Sequence, residues 1–294
     1  MPGLLDPSVL QAISGLDLVA RTVVDGFIAG LHRSADFGFS QEFAEYRAYV
    51  PGDDPRHVDW NVFARTGRAY IKRFQGETNS PLTLIVDASA SMSYASHSVD
   101  KLAYARFTAA SLAYLATRWQ RDAAGLLVFN DEVRDFVPPA SRQGQLQRLL
   151  GQLTVIRPQA STRYDAPLTH LSALLRRRGI VVMMSDFYAP PADVIRAVEP
   201  LRIHGSEVVL FQLLDPQELT PDLPDTELQD MESGGLLPVS ARYAAGRYRE
   251  RIAEHVAALA AAARRAGMDH QLLRTDQPLD CALRQYLTIR QGRN

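Results

Sequence analysis

The chain has 294 residues, of which 46% are apolar and 22% are charged. This balance is typical of a globular protein with one large domain or two smaller ones, and it excludes disordered, collagenous and coiled-coil chains. The net charge is −1, from 32 basic and 33 acidic residues. Such a balance offers no electrostatic basis for non-specific binding to nucleic acid, so we expect no nucleic-acid partner.

Cysteine content and hydropathy favour a cytoplasmic protein. Cys281 is the only cysteine, which rules out an internal disulfide and a cysteine-based zinc site and fits a reducing compartment. No run of about 18 apolar residues occurs, so no membrane span is expected. The first residues lack a basic region followed by an apolar one, so no signal peptide is expected either.

The first 80 residues predict an N-terminal helix followed by a small β-rich accessory segment. Apolar residues at helical spacing favour one helix over residues 7–29, with Asp6 as its cap and Pro7 in its first turn. Glycines and short aromatic runs between residues 35 and 80 favour strands and turns. Acidic and arginine side chains alternate from Glu42 to Arg65, as in a small β unit held by ion pairs, with a docking surface as the alternative.

Residues 81–294 predict an α/β domain in which strands and helices alternate. Short, nearly continuous apolar runs are typical of strands buried on both faces. These runs lie at residues 82–86, 125–129, 180–184 and 208–211. Helical patterns between them favour a mostly parallel sheet flanked by helices. Prolines and a Gly-Gly pair mark a loop or hairpin insertion at about residues 215–240.

Oxygen-bearing side chains follow two of the predicted strands. Asp87, Ser89 and Ser91 come directly after the first strand, and Asp186 follows the strand at residues 180–184. Open parallel sheets bind ligands beyond the carboxyl ends of their strands, so we expect these side chains to meet at one edge. Thr162, which precedes a predicted helix, adds a hydroxyl from a third loop.

This set supplies two carboxylates and three hydroxyls, without sulfur or imidazole. Such ligands suit a hard cation, Mg²⁺ or alternatively Ca²⁺ or Mn²⁺, and disfavour zinc and copper. Water or a partner's carboxylate would complete the coordination shell. Ser161 is as good a candidate as Thr162 for the third loop. The interpretation without a metal is that the serines cap a turn and Asp186 caps a helix.

Known catalytic patterns are incomplete at these strand ends. A haloacid-dehalogenase phosphatase would need a second aspartate where Ser89 stands, and the chain lacks both Gly-x-Ser-x-Gly and a phosphate-binding Walker loop. Two alternatives stay open beside an interaction module. One is a metal-dependent hydrolase or phosphatase that uses Asp87 and Asp186, and the other is a structural domain with a vestigial metal site.

The order Asp-x-Ser-x-Ser, then Thr, then Asp resembles the metal-ion-dependent adhesion site (MIDAS) of von Willebrand factor A domains. From about residue 5 to 290 the chain also resembles the bacterial and archaeal family of unknown function numbered fifty-eight in its series. The most specific part of that resemblance is the stretch Tyr49-Val50-Pro51-Gly52-Asp53-Asp54-Pro55-Arg56. Ser185-Asp186-Phe187 and Asp215-Pro216 follow it in the family's order.

The resemblance implies a von Willebrand factor A-like core and a non-enzymatic role in protein interaction. Members of the family are typically encoded beside MoxR-type AAA+ ATPases and are thought to act with them in chaperone-like maturation or assembly of other proteins. The implied partners are therefore a MoxR-type AAA+ ATPase and a client protein that offers a carboxylate to the ion. The metal site carries over at the matching positions, which are Asp87, Ser89, Ser91, Thr162 and Asp186.

Overall fold

A computed structural model describes residues 5–31, 43–48, 70–74 and 80–291, apart from residues 160, 176, 223 and 233. Most of the charged aromatic segment from Glu42 to Arg65 therefore lies outside the described residues. The predicted boundary between an accessory segment (1–80) and an α/β domain (81–294) stays a prediction.

The described residues form ten strands. In chain order they are β1 (Phe43–Ala48), β2 (Tyr70–Phe74), β3 (Leu82–Asp87), β4 (Ala124–Phe129), β5 (Val133–Ala140), β6 (Ile180–Ser185), β7 (Glu207–Leu214), β8 (Thr226–Gln229), β9 (Leu236–Val239) and β10 (Asp269–Arg274). Six of them form a central sheet in the order β10-β7-β6-β3-β4-β5, in which only β5 is antiparallel to its neighbour. The other four form two antiparallel pairs, β1–β2 and β8–β9.

Ten α-helices accompany these strands in the described part of the chain. They are α1 (Pro7–Gln11), α2 (Leu16–Leu31), α3 (Lys101–Tyr114), α4 (Gln145–Val155), α5 (Asp165–Leu174), α6 (Pro191–Val198), α7 (Pro216–Leu219), α8 (Ala241–Tyr243), α9 (Arg249–Arg265) and α10 (Asp280–Gln291). None of the described helices combines the length and the apolar character that crossing a bilayer requires.

The predicted fold class, a mostly parallel sheet flanked by helices, is confirmed. Alternate residues of each buried strand point to opposite faces, so β3 directs Leu84 and Val86 to one face and Ile85 to the other. Helices α2, α3, α4 and α10 cover the first face, and α5, α6 and α9 cover the second. Because helices cover both faces of the sheet, the core strands are accessible to a ligand at their ends.

The prediction of one helix over residues 7–29 is wrong, because the chain forms two helices there. Asp6 does cap α1, since its side chain accepts a hydrogen bond from the backbone N–H of Ser8. The helix then stops, and Gly15 adopts a left-handed φ of +96° before α2 begins. A left-handed residue cannot continue a right-handed helix, so glycine at this position separates the two segments.

Candidate metal centre

Neighbouring strands bring the two predicted carboxylates to the same edge of the sheet. Strands β3 and β6 run parallel side by side, with Val86 opposite Met184. Asp87 is the last residue of β3 and contacts Ser185, the last residue of β6. Asp186 directly follows Ser185. Both aspartates are buried. The two strand ends can meet only if β3 and β6 are neighbours in the sheet, and the structure shows that they are.

Hydroxyl and amide groups surround the Asp87 carboxylate. The backbone N–H of Ser89 donates to Oδ1 at 2.9 Å, and Ser185 Oγ donates to Oδ2 at 2.6 Å. Thr162 Oγ1 lies 3.4 Å from the same Oδ2, and Ser89 Oγ lies 3.1 Å from Ser91 Oγ. The structure thus gathers the predicted hydroxyls around Asp87, and Thr162 is the third-loop residue that contacts it.

Asp186 has a different neighbourhood, because a buried lysine holds its carboxylate. Lys101 Nζ lies 2.9 Å from Asp186 Oδ2 and 2.6 Å from Glu218 Oε1, and the lysine side chain is fully buried. The rings of Tyr188 and Tyr94 lie 5.0 and 5.9 Å from the ammonium group. One carboxylate oxygen of Asp186 is therefore engaged by a cation of the protein itself.

Sequence reasoning missed Lys101, Ser185 and Glu218. One signal for Lys101 was available, since the chain contains only two lysines among 32 basic residues. Lys101 is also the first residue of α3, where a positive charge opposes the helix dipole unless carboxylates compensate for it. No comparable signal pointed to Glu218, which is 117 residues away in sequence.

The charges of this cluster perturb the ionisation of Asp87. Burial and, second, the negative charge of Asp186 raise the pKa of its carboxyl group to about 7, against the opposing effect of hydrogen bonds from Ser185 and Ser89. In the described part of the chain, Asp87 is thus a desolvated carboxylate with hydroxyl partners and no ion pair to a cationic side chain.

The donors present fit a hard divalent cation. All of them are oxygens, but the described residues contain no cluster of three or more His, Cys, Asp or Glu side chains, so hydroxyl groups would have to supply part of the coordination shell. Octahedral Mg²⁺ with bonds of about 2.1 Å places adjacent ligand oxygens about 3 Å apart. The spacings of 3.1 Å between Ser89 and Ser91 and 3.4 Å between Thr162 and Asp87 are close to that value.

The loop after β6 is held in a strained conformation. Phe187 has a φ of +53°, in the left-handed region that costs a non-glycine residue about 1 kcal/mol. His255 Nε2 lies 2.8 Å from the Phe187 carbonyl oxygen, and Gln212 Nε2 donates to the Asp186 carbonyl at 3.0 Å. Because α9 and β7 both bind this loop through its backbone, the position of Asp186 is determined by the surrounding fold.

A second polar cluster follows β7 and β10. His97 Nε2 lies 2.9 Å from Thr275 Oγ1 and 3.7 Å from Asp215 Oδ2. The backbone N–H of Val99 donates to His97 Nδ1, so the proton of the neutral ring is on Nε2. In this state His97 donates its Nε2–H to Thr275 Oγ1, and it does not act as a base toward the threonine. The arrangement anchors the loop over residues 94–99 and does not form a nucleophile–base pair.

Comparison with known sequences identifies the family. Residues 45–262 match the family described as protein of unknown function DUF58. The chain belongs to this family. The uncharacterized protein Rv1480 of Mycobacterium tuberculosis is 33% identical over 236 residues, which is 78% of this chain and 73% of that protein. The resemblance to this family that was seen in the sequence is confirmed over residues 45–262.

Comparison with solved structures gives matches of low sequence identity. Conserved hypothetical protein BatB from Bacteroides thetaiotaomicron is 14% identical, and the match covers 71% of this chain and 97% of BatB with a TM-score of 0.47. The SpRpn10 VWA domain is 10% identical, with 70% and 94% of the two chains covered and a TM-score of 0.41. At these identities and TM-scores, the assignment of the fold class rests on the observed sheet order.

Proposed function

We propose that this protein is a non-enzymatic interaction module whose partner contact passes through a divalent cation. The ion, Mg²⁺ or alternatively Ca²⁺ or Mn²⁺, would be held by oxygens of Asp87, Ser89, Ser91, Thr162 and Asp186. The observation that carries the proposal is the buried Asp87 carboxylate, which is surrounded by oxygen donors and lacks a cationic partner in the described structure. A bound cation compensates such a charge more effectively than hydroxyl groups alone.

The donor set leaves a bound ion able to accept a further ligand. Lys101 neutralises part of the Asp186 charge, and three of the other four ligands in the set are neutral hydroxyls. A divalent ion in this setting keeps net positive character toward an external carboxylate. We propose that a client protein supplies that carboxylate, and that a MoxR-type AAA+ ATPase, implied by the family resemblance, acts with this protein in maturation or assembly of the client.

The hydrolase alternative has less support from the geometry. Among the described residues, the hydrogen-bond partners of Asp87 are hydroxyl and amide groups, and no histidine contacts the cluster around it. Lys101 is bound by two carboxylates, whose effect on its pKa outweighs that of burial and raises it, so the amine stays protonated. In the part of the chain that the structure describes, neither a histidine nor a neutral amine is therefore placed beside Asp87 as a general base.

The test combines metal binding with partner capture. Calorimetric titration of the purified protein with Mg²⁺ and Mn²⁺ should show binding that Asp87→Asn abolishes and that Asp193→Asn, an exposed control on α6, retains. A pull-down of a MoxR-type AAA+ ATPase from the same organism should lose its signal with EDTA and with Asp87→Asn. Absence of binding heat, or equal capture under all conditions, would remove the metal from the mechanism.

A further inference from the structure

The hairpin β8–β9 places a carboxylate on the candidate metal centre. Its turn is fixed by the backbone N–H of Glu232, which donates to Asp230 Oδ1 at 2.8 Å. The exposed Glu232 side chain reaches Thr162, which lies 70 residues earlier in the chain. Thr162 donates its backbone N–H to Glu232 Oε2 at 3.2 Å, and Thr162 Oγ1 lies 3.2 Å from Glu232 Oε1.

The Thr162 hydroxyl stands between two carboxylates. Its oxygen is 3.4 Å from Asp87 Oδ2 and 3.2 Å from Glu232 Oε1, but it has one proton and can donate to only one of them at a time. Two carboxylates, those of Asp87 and Glu232, therefore lie on either side of this hydroxyl group.

The Asp87 and Glu232 carboxylates both carry negative charge and repel each other. A divalent cation bound between them would attract both and so offset this repulsion. The Thr162–Glu232 oxygen spacing of 3.2 Å also matches the distance of about 3 Å between adjacent ligands of octahedral Mg²⁺. Glu232 thus lies beside Thr162, where it would serve as a further ligand of the ion. The proposed function assigns this ligand position to the partner's carboxylate.

We propose that Glu232 is a built-in competitor for the open ligand position of the cation. Hairpin β8–β9 then covers the site until a partner's carboxylate displaces Glu232. This inference rests on the proposed function, because without a bound cation there is no ligand position for which to compete.

The apolar residues of the hairpin indicate how such displacement proceeds. Leu228 and Leu237 face each other across the strand pair, and they are 37% and 61% exposed. Leu236 and Met231 are exposed as well, so most of the hairpin's large apolar surface is not packed against the protein. Moving the hairpin therefore exposes little additional apolar area. A partner segment that places an acidic residue beside apolar side chains fits both the ion and this surface.

The test compares wild-type protein, Glu232→Gln and Glu227→Gln, an exposed control on the same hairpin. Mn²⁺ binding is measured by electron paramagnetic resonance, and access of an external carboxylate by the relaxation of ¹³C-acetate near bound Mn²⁺. If Glu232 occupies the position in nine of ten molecules, Glu232→Gln lowers the half-saturating acetate concentration about tenfold, and Glu227→Gln leaves it unchanged. Hydrogen exchange should show that Mg²⁺ protects residues 226–239 in the wild type and not in Glu232→Gln.

Two results would overturn the inference, and they are distinguishable. If all three proteins bind Mn²⁺ and acetate equally and Mg²⁺ protects the hairpin in none, Glu232 is no competitor while the cation site stands. If none of the three binds Mn²⁺, the proposed function fails as well.

Discussion

Replacement of Lys101 by methionine tests the electrostatics of the centre directly. Methionine keeps most of the volume of the lysine stem but removes the ammonium group that binds Asp186 and Glu218 at 2.9 and 2.6 Å. Both carboxylates are largely buried, with 2% and 11% of their side chains exposed. The variant therefore leaves two desolvated negative charges next to each other.

The expected loss follows from that geometry. Removal of one partner from a buried ion pair lowers the free energy of unfolding by about 3–5 kcal/mol, because the remaining charge stays buried without compensation. The loss should be largest at pH 8. It should shrink at pH 5.5, because burial already raises the pKa of Glu218 and the variant lacks the ammonium that opposes this shift.

The assay is urea unfolding of the wild type and Lys101→Met at both pH values. Arg178→Met, which removes an exposed partner of Glu207, is the matched control and should change stability by less than about 0.5 kcal/mol. The double variant Lys101→Met/Glu218→Gln should recover part of the loss, because one of the two buried charges is gone. A loss below about 1 kcal/mol at pH 8, or one independent of pH, would refute this view of the cluster.

Two further predictions concern the same edge of the sheet, and a third concerns His270 in β10. Asp87→Asn should raise the free energy of unfolding in EDTA at pH 8 by about 1 kcal/mol or more, because it removes a charge that burial disfavours, and excess Mg²⁺ should then stabilise only the wild type. Tyr164→Phe removes the hydroxyl that lies 3.1 Å from Ser185 Oγ and should lower urea-unfolding stability by about 1 kcal/mol. Burial lowers the pKa of His270 to about 4, with His255 as a second cause. Between pH 6.5 and pH 4 the unfolded chain therefore binds a proton at His270 that the folded protein does not bind, so the free energy of unfolding should fall as the pH is lowered. Urea unfolding at several pH values should show a smaller pH dependence for His270→Gln than for the wild type.

Much of the fold was predictable because its signals are local. The buried strands β3, β4, β6 and β7 each correspond to a short apolar run in the sequence, and right-handed crossovers leave few arrangements for parallel strands joined by helices. The break between α1 and α2 was missed, because the apolar spacing continues through Gly15 and periodicity does not show a change in backbone conformation. The left-handed conformation of Phe187 was not predictable from periodicity either, because contacts from β7 and α9 impose it.

For the candidate site, the sequence alone determined which oxygens stand at the strand ends. Asp87 and Asp186 each follow an apolar run, and sheet order then makes them neighbours. Only the tertiary structure decided what surrounds them: Lys101 between Asp186 and Glu218, and Glu232 on Thr162. These contacts join residues 70 to 117 positions apart, and neither charge nor spacing in the chain specifies which distant side chains packing will bring together.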